Sequence, residues 1–501
     1  MATVVSAPGK VLIAGGYLVL DHRYPGLVVS TSSRFYTVVQ PASRSEKIIV
    51  NSPQFENAIW AYGVKLEGDG IRIEQVEDAT GSKNRFVQNA LEGTLAIALA
   101  IRGKDSFISS LDQGLDIHVL AANDFYSQHA SLTARSLPPT LDSLNSIPPF
   151  LPQGCPIGQV HKTGLGSSAS LITSLVSALL LHFDAISPDS LSSDATSNEG
   201  RELAHNVAQY VHCLAQGKVG SGFDVSSAVF GSQVYQRFEP TVIADIMQGK
   251  PNGSTLLSTL SPSNKAWNHT VSPFKLPPLT RIMLADVDSG SDTPSMVGNV
   301  LKWKKAEPAV GTFSDQLWEG LDKCNRGLGD IVNRLSQRYD EDPTEYANTV
   351  DKLTRESGDE WERQSPIEAL EVTVAQLFGN TRQLAKMQSI RDGMRAMGKS
   401  SGVPIEPPEQ TRLLDACCAL PGVIGGGVPG AGGYDAIWLL VLQPQDKELA
   451  SSVVASVEKL WQRWTELSVS PLLATESLER GARKELLQDV LGLEAALKGS
   501  A

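Results

Sequence analysis

The clearest hydrophobic pattern lies in the middle of the chain, where apolar residues recur with helical spacing. One stripe contains Leu171, Ile172, Leu175, Val176, Leu179 and Leu180. This spacing predicts a buried helix that begins just after Gly166. The loop before the helix reads Lys162-Thr163-Gly164-Leu165-Gly166-Ser167-Ser168-Ala169.

A glycine-paired loop of this kind has the composition of an anion-binding site. The first backbone N–H groups of a helix have no intrahelical partner, and the helix dipole adds partial positive charge. Small residues let an anion approach closely, and the hydroxyls of Ser167 and Ser168 can donate to it or bind a metal ion. Lys162 adds a full charge. The alternative is an ordinary N-cap in which Ser167 or Ser168 satisfies the backbone. Two further glycine-rich stretches, near the two ends of the chain, favour the phosphate site.

The rest of the pattern mixes strands and helices. Strands are predicted at 3–5, 11–20, 28–39, 113–121, 232–238, 281–287 and 436–442, and helices at 84–101, 199–215, 314–339, 343–355, 366–398, 445–465 and 474–498. Residues 7–10 are expected to interrupt the first strand, and the next strand is expected to bend at Gly15-Gly16. A stretch rich in Pro, Ser, Asn and Gly separates a domain at 1–240 from one at 280–501, with 241–279 as a linker or excursion. The last helix is a candidate to pack back on the first domain.

Composition narrows the class of protein. A chain of 501 residues with 41% hydrophobic and 20% charged residues suits two globular domains. The net charge of -12 disfavours nucleic acid and anionic membranes as partners. Five cysteines without a C-x-x-C pair indicate reduced thiols. With neither a signal-peptide pattern nor a membrane-spanning apolar run, we expect a cytoplasmic protein.

Two other patterns carry less weight. Residues 393–400 match the P-loop consensus, but the polar helical pattern before them cannot be the buried strand that a P-loop follows. Arg391, Arg395 and Lys399 nearby could bind an anionic substrate or form a solvated helix end. His205 and His212 share one face of a predicted helix, and because no third ligand is near in sequence, a structural role is favoured over metal binding.

The chain also contains the parts that phosphoryl transfer requires, which are a backbone cradle, cations, a metal-binding oxygen and a group that manages the acceptor. The loop at 162–169 is the candidate cradle, with Ser168 or Ser167 as the metal-binding hydroxyl. Lys10 and Lys218 are candidate cations. Asp224 follows a glycine turn at a predicted helix start, where it is either a partner of the helix dipole or an active-site group.

Three segments together resemble a known family. They are APGK at 7–10, KTGLGSSAS at 162–170 and GVPGAGGYDA at 427–436, and they resemble, in order, the three motifs of the GHMP kinase superfamily. Within it the chain resembles the fungal type of phosphomevalonate kinases. The segments GKVLIAGGYLVLD, GKVGSGFDV, SDTPSMV and GVPIEPPEQTRLLD carry this likeness. The sequence Ala14-Gly15-Gly16-Tyr17 departs from the Gly-Glu-His that mevalonate kinases and galactokinases usually have.

The resemblance implies an α+β fold, with an N-terminal domain like ribosomal protein S5 domain 2 and a C-terminal ferredoxin-like α+β domain. The active site would lie in the cleft between them, with the ATP triphosphate on the helix after Gly166. By motif, Ser168 helps to hold Mg²⁺, and Lys10 and Asp224 stand at the transferred phosphoryl group. The remaining implied residues are Lys218 and Ser221 beside the acceptor, and Gly430, Ala431, Gly432 and Gly433 as a wall of the site.

The implied reaction converts ATP and 5-phosphomevalonate into ADP and 5-diphosphomevalonate, a step of isoprenoid and sterol biosynthesis. The alternatives are another GHMP small-molecule kinase, such as mevalonate kinase, and a non-catalytic nucleotide sensor. The joint presence of Lys10, Ser168 and Asp224 argues against a sensor. We expect a monomer or weak homodimer with no nucleic-acid or membrane partner, and leave open whether Asp224 acts as a base or as an electrostatic group.

Overall fold

Two β-sheets and the helices packed on them form the structure. The computed structural model describes residues 2–42, 47–68, 70–76, 82–192, 198–249, 251–287, 293–307, 311–356, 361, 373–385 and 390–498. The strands are β1 (Thr3–Ala14), β2 (Gly26–Pro41), β3 (Ile48–Asn51), β4 (Ile59–Glu67), β5 (Gly70–Gln75), β6 (Leu115–Ala121), β7 (Gln233–Gln236), β8 (Thr270–Pro273), β9 (Thr280–Asp286), β10 (Val423–Gly427), β11 (Ala436–Leu442), β12 (Ser470–Leu472) and β13 (Arg483–Glu485).

Helices make up much of the remaining described chain. The first nine are α1 (Arg85–Arg102), α2 (Lys104–Leu111), α3 (His129–Ala134), α4 (Leu141–Ser146), α5 (Ser167–His182), α6 (Glu199–Gln216), α7 (Phe223–Phe230), α8 (Thr241–Gln248) and α9 (Gly253–Leu260). The others are α10 (Thr293–Ala306), α11 (Phe313–Glu341), α12 (Pro343–Arg355), α13 (Val374–Ala385), α14 (Ile390–Ser401), α15 (Pro408–Cys418), α16 (Lys447–Arg463) and α17 (Leu493–Lys498). Short 3₁₀ helices lie at Gly16–Leu20, Asn123–Phe125, Pro188–Leu191 and Leu487–Asp489.

The larger sheet has nine strands in the order β13-β1-β2-β6-β3-β4-β5, and β7 and β8 extend from β2. Its strand pairs are antiparallel except β3 with β6, which is parallel. Helix α5 packs across β1 and β2, with α1 and α6 beside it. The apolar stripe predicted after Gly166 is therefore the buried face of α5, which confirms that helix.

The smaller sheet is antiparallel, with the order β10-β11-β9-β12. Its core includes apolar residues of α15 and α16, among them Leu413, Cys417, Val457 and Trp461. A separate buried cluster joins the 3₁₀ helix at Gly16–Leu20 to α10, α11 and α14. The mixture of a large, mostly antiparallel sheet, a small antiparallel sheet and packed helices is the predicted α+β class.

The predicted interruption at residues 7–10 is wrong. The chain stays in β1 through Pro8 and absorbs the irregularity as a shift of register against β2 between Pro8 and Lys10. The strand ends instead at Ala14, because Gly15 and Gly16 have φ angles of 117° and 43°, a region that favours glycine. The segment after them is a 3₁₀ helix and not the predicted strand.

The helix predicted at 474–498 is also wrong. Residues 483–485 form β13, which pairs with β1, and within this range the described α-helix is limited to Leu493–Lys498. Two buried arginines hold the chain just before β13. Arg34 donates to the carbonyl oxygen of Gly481 at 2.5 Å, and Arg201 donates to that of Ala482 at 2.8 Å. Leu493 packs with Val4, Val38 and Leu120 of the larger sheet.

The domain division 1–240, 241–279 and 280–501 stays a prediction. Within 241–279 the chain forms α8, α9 and β8, and β8 pairs with β7 of the larger sheet. Part of the helix predicted at 366–398 lies outside the described residues. Among the described helices, none has both the length and the apolar character needed to cross a bilayer.

The P-loop-like residues 393–400 lie inside α14, so they form no phosphate-binding loop. Arg391 is buried and donates to the Glu406 carboxylate at 2.6 Å, and Arg395 donates to the same oxygen at 2.7 Å. Neither side chain belongs to a solvated helix end. Their charges are used within the fold, where they tie α14 to the segment before α15.

Candidate active site

The start of α5 is a backbone cradle without a side-chain cap. Its N-cap is Gly166, in the left-handed conformation with φ 81°, and this residue provides no side-chain cap. The ordinary N-cap predicted as the alternative, with Ser167 or Ser168 in that role, is therefore wrong. Gly164 also has a positive φ, of 77°. These two glycines leave the first N–H groups of α5 for an external acceptor.

The glycine-bearing segments from three distant parts of the chain line one cavity of about 1040 Å³. Of the predicted residues, the cavity wall includes Lys10, Lys162, Gly164, Leu165, Gly166, Ser167, Ser168, Lys218, Ser221, Asp224, Gly430, Ala431 and Gly432. Thr163, Ala169 and Gly433 lie outside this wall. Thr163 is buried and donates to the carbonyl oxygen of Asp124 at 2.5 Å, and Ala169 is buried within α5.

Lys10 connects the first and second segments. Its Nζ donates to the carbonyl oxygen of Gly164 at 2.7 Å, and its backbone N–H donates to that of Leu165 at 2.9 Å. The side chain is 9% exposed. Burial lowers the pKa of Lys10, while Asp224 and Asp435 act in the opposite direction. Two carboxylates thus support a buried ammonium group beside the cradle.

Ser168 contacts a histidine that the sequence pattern assigned to a structural role. The Ser168 hydroxyl lies 3.0 Å from Nε2 of His212, and the amide nitrogen of Gln216 lies 3.2 Å from the same atom. An amide nitrogen only donates, so Nε2 carries the lone pair and the Ser168 hydroxyl donates to it. Burial lowers the pKa of His212, although Asp224, 3.9 Å away, opposes that shift. The oxygen lone pairs of Ser168 remain available to a cation.

The turn between α6 and α7 carries Lys218 and Ser221 into the cavity wall. Arg237 holds this turn by donating to the carbonyl oxygens of Gly220 at 2.6 Å and Val219 at 3.1 Å. The Tyr235 hydroxyl donates to the carbonyl oxygen of Ser221 at 2.9 Å. The buried side chains of Arg237 and Tyr235 therefore hold the backbone of the turn in place.

Tyr17, in the 3₁₀ helix after β1, holds the third glycine-bearing segment. Its hydroxyl donates to the carbonyl oxygen of Ala431 at 2.8 Å. The backbone N–H of Gly433 donates to the carbonyl oxygen of Ile405 at 2.8 Å. Tyr17 is the last residue of the segment Ala14-Gly15-Gly16-Tyr17 at the end of β1. Its hydrogen bond supports the late glycine loop.

We expect Gly432→Ala to destabilise the protein more than Gly430→Ala. Both residues line the cavity with positive φ, so each alanine costs about 1–2 kcal/mol of backbone strain. A Cβ at Gly432 would lie 2.1 Å from the carbonyl oxygen of Ile405, whereas one at Gly430 meets no atom within 4 Å. The clash adds about 1–3 kcal/mol. Urea unfolding of both variants measures the difference, and equal free energies of unfolding would contradict this packing.

We expect His212→Gln to reduce the acid sensitivity of the fold. Burial holds the pKa of folded His212 below its ordinary value, so as pH falls the unfolded chain takes up a proton that the folded chain does not. Stability is full above the unfolded pKa of about 6.5 and declines below it. Urea unfolding between about pH 7 and pH 5 in the presence of a chelator measures the slope. The exposed His129→Gln is the matched control, and an unchanged slope in His212→Gln contradicts the expectation.

Sequence patterns missed several residues of this cavity. Asp435 and Asp286 line it, as do His212, Arg237 and Tyr17. Asp435 stands inside the late glycine motif. A Cβ built on Gly164 would lie 3.7 Å from the Cβ of Asp435. The signal for Asp435 was present in that motif. No sequence signal indicated Asp286 or Arg237, because strand pairing alone brings them to the cavity.

Comparisons with known proteins identify the class to which this fold belongs. The family model described as the C-terminal domain of GHMP kinases matches residues 381–462. The chain resembles a solved Streptococcus pneumoniae phosphomevalonate kinase in complex with phosphomevalonate and AMPPNP, with a TM-score of 0.55 and 14% identity. That likeness covers 96% of this chain and 99% of the other. The α+β fold is that of the GHMP kinases.

Two relatives that match over nearly their whole length identify the family within the GHMP kinases. The chain is 36% identical to the phosphomevalonate kinase of Arabidopsis thaliana named as peroxisomal, over 95% of both chains. It is 34% identical to the phosphomevalonate kinase of Aspergillus fumigatus, over 98% of both chains. The chain belongs to the phosphomevalonate kinase family, and it is a kinase.

Proposed function

We propose that the cavity binds ATP and 5-phosphomevalonate side by side and transfers the terminal phosphoryl group of ATP to the phosphate of the acceptor. The products are ADP and 5-diphosphomevalonate, as in the mevalonate route to isoprenoids and sterols. The observation that carries the proposal is the convergence of three glycine-bearing segments on one cavity, with Lys10 hydrogen-bonded to the cradle. Membership of the family supports the same chemistry.

In the proposed complex, ATP binds at residues 162–169. The ATP triphosphate would lie at the uncapped start of α5, where backbone N–H groups and the helix dipole favour an anion. Lys162 lines the same cavity and is exposed to solvent. Phosphate oxygens that displace water from these donors gain electrostatic stabilisation in a site of low dielectric.

The acceptor would bind beside Lys218 and Ser221, on the turn that Arg237 holds in place. The acceptor is a phosphate monoester, whose second proton is lost near pH ~6. Its nucleophilic oxygen is thus mostly ionised near neutral pH, and a strong base adds little. Bringing two polyanions together is the larger barrier, and Lys10, Lys162 and Lys218 all line the cavity that must hold them. We assign Asp224 to positioning and electrostatics.

The donor set also fits Mg²⁺, which prefers oxygen ligands. The Ser168 hydroxyl donates to His212 and keeps its lone pairs, and the carboxylates of Asp224 and Asp435 act on Lys10 in the same cavity. Ser168, with one or both carboxylates, would hold the ion. When bound, the ion neutralises charge on the phosphate oxygens of ATP. His212 fixes the direction of the Ser168 hydroxyl, and Lys10 holds the cradle in place.

A coupled ADP assay tests the function. ADP release is expected with 5-phosphomevalonate, with little release for mevalonate and none without an acceptor. Rapid turnover of mevalonate would favour a mevalonate kinase. Nucleotide binding without ADP release for any acceptor would favour a non-catalytic sensor.

We also propose a cytoplasmic monomer or weak homodimer, divided into domains at 1–240 and 280–501. The five cysteines include no C-x-x-C pair, which supports a cytoplasmic location. The Arabidopsis relative, in contrast, is named as peroxisomal. Light scattering across a range of protein concentrations measures the mass in solution. Fluorescence microscopy of the full chain in its own cells distinguishes the two compartments.

A further inference from the structure

A cluster of side chains able to bind a metal ion lies on α6 and the segment before β8, outside the cavity wall. Glu202 and His205 stand one turn apart on this helix, and His269 comes from the segment just before β8. Their ligand atoms all lie within 4.8 Å of one another. His205 is seven residues before His212, which places it about 10 Å along the helix from the site that contacts Ser168.

The hydrogen bonds of Asn206 determine which nitrogen of His205 carries a lone pair. The Asn206 amide nitrogen donates to the carbonyl oxygen of Leu260 at 3.1 Å, which turns its amide oxygen to Nδ1 of His205, 2.9 Å away. An amide oxygen only accepts, so Nδ1 carries the hydrogen and Nε2 carries the lone pair. Metal-binding histidines commonly have this outer hydrogen bond, which fixes the ring and the tautomer.

The lone pair of His205 is not used within the described residues. His205 is fully buried, and its Nε2 has no hydrogen-bond partner among the residues that the structure describes. A buried nitrogen lone pair without a partner costs free energy, which a bound cation would recover.

His269 and Glu202 complete the group. Nε2 of His269 lies 3.4 Å from Oε2 of Glu202, and the rings of His205 and His269 have centroids 4.4 Å apart. A tetrahedral Zn²⁺ with bonds of about 2.0–2.2 Å places neighbouring ligand atoms about 3.3–3.5 Å apart. The pair of His269 and Glu202 already has this separation. Because all three ligand atoms lie within 4.8 Å of one another, the third atom needs to approach by about 1.5 Å or less.

We propose that Glu202, His205 and His269 bind one Zn²⁺ ion, leaving its fourth position open to water. Two imidazoles and one carboxylate suit zinc better than Mg²⁺ or Ca²⁺, which prefer oxygen ligands throughout. The ion would tie α6 to the chain that leads into β8. It would thereby stabilise the helix that carries His212 and ends at the turn of Lys218.

The test uses the full chain, stripped with a chelator and then titrated with Zn²⁺ against a chromogenic competitor. We expect one tight site in the wild type, and Co²⁺ in its place should give the visible absorption of a tetrahedral ion. His269→Gln and Glu202→Gln should each weaken Zn²⁺ binding by about 100-fold or more, since loss of an outer partner alone typically costs 10–100-fold. His129→Gln, at an exposed histidine, should leave the affinity unchanged.

Zinc should also raise the melting temperature of the wild type, and of His129→Gln, but not of His269→Gln or Glu202→Gln. ADP release with 5-phosphomevalonate shows that each variant is folded, because none of these residues lines the cavity. Equal zinc affinities in the wild type and both ligand variants would overturn the proposal. An octahedral Co²⁺ spectrum would do the same. Equal affinities would mean that His269 and Glu202 only contact each other within the fold.

Discussion

Lys10→Ala is expected to lower kcat by about 10³-fold while the KM for each substrate changes far less. Removing one preorganised charge or donor from a phosphoryl-transfer site typically costs 10²–10³-fold or more. Lys10 is buried, donates to the cradle and interacts with the carboxylates of Asp224 and Asp435, so the alanine variant loses a charge that the fold holds in place. Steady-state kinetics with 5-phosphomevalonate and ATP measure both constants.

The comparison with Asp224→Asn separates electrostatics from base catalysis. An acceptor phosphate that is already ionised needs no strong base, so Lys10→Ala should lose more rate than Asp224→Asn. Lys10→Met keeps most of the side-chain volume and distinguishes lost charge from lost packing, and it should be nearly as slow as the alanine variant. Thermal melting shows whether each variant is folded. If Lys10→Ala turns over at nearly the wild-type rate while binding both substrates normally, the electrostatic mechanism is wrong.

Local pattern was enough to predict the elements whose own residues determine them. The stripe from Leu171 to Leu180 predicts α5 because burial on one helical face depends only on spacing within the segment. The same holds for β11 at Ala436–Leu442, whose seven residues are all buried. The motif at 162–169 likewise indicated the cradle, since its glycines are needed for positive φ angles at Gly164 and Gly166.

Long-range contacts explain the failures. At Pro8 the strand continues because β2 lies beside it and accepts a shift of register, which a turn-like sequence alone does not indicate. Near the C-terminus, Arg34 and Arg201 bind carbonyl oxygens of the returning chain, and their positions are hundreds of residues away. The role of His212 was missed for the same reason, because its partner Ser168 stands on another helix.

Ser168→Ala is expected to lower kcat by about 10²-fold and to raise the Mg²⁺ concentration needed for half-maximal rate. The Ser168 hydroxyl donates to Nε2 of His212, which leaves its oxygen lone pairs for a cation. Alanine removes that oxygen, and a lost metal ligand reduces the charge stabilisation available to the phosphoryl group. Initial rates across a series of Mg²⁺ concentrations, at fixed ATP, measure the effect.

Ser167→Ala is the matched control, since Ser167 lies on the same helical turn and lines the same cavity. It should keep the wild-type Mg²⁺ dependence and lose less than about tenfold in rate, as expected for one peripheral hydrogen bond. Because α5 is capped by Gly166 and not by either serine, neither alanine should unfold the helix. Equal Mg²⁺ responses in the two variants would assign the ion to the carboxylates of Asp224 and Asp435 alone. A selective response in Ser168→Ala ties the hydroxyl to the ion, and through it His212 to the orientation of that hydroxyl.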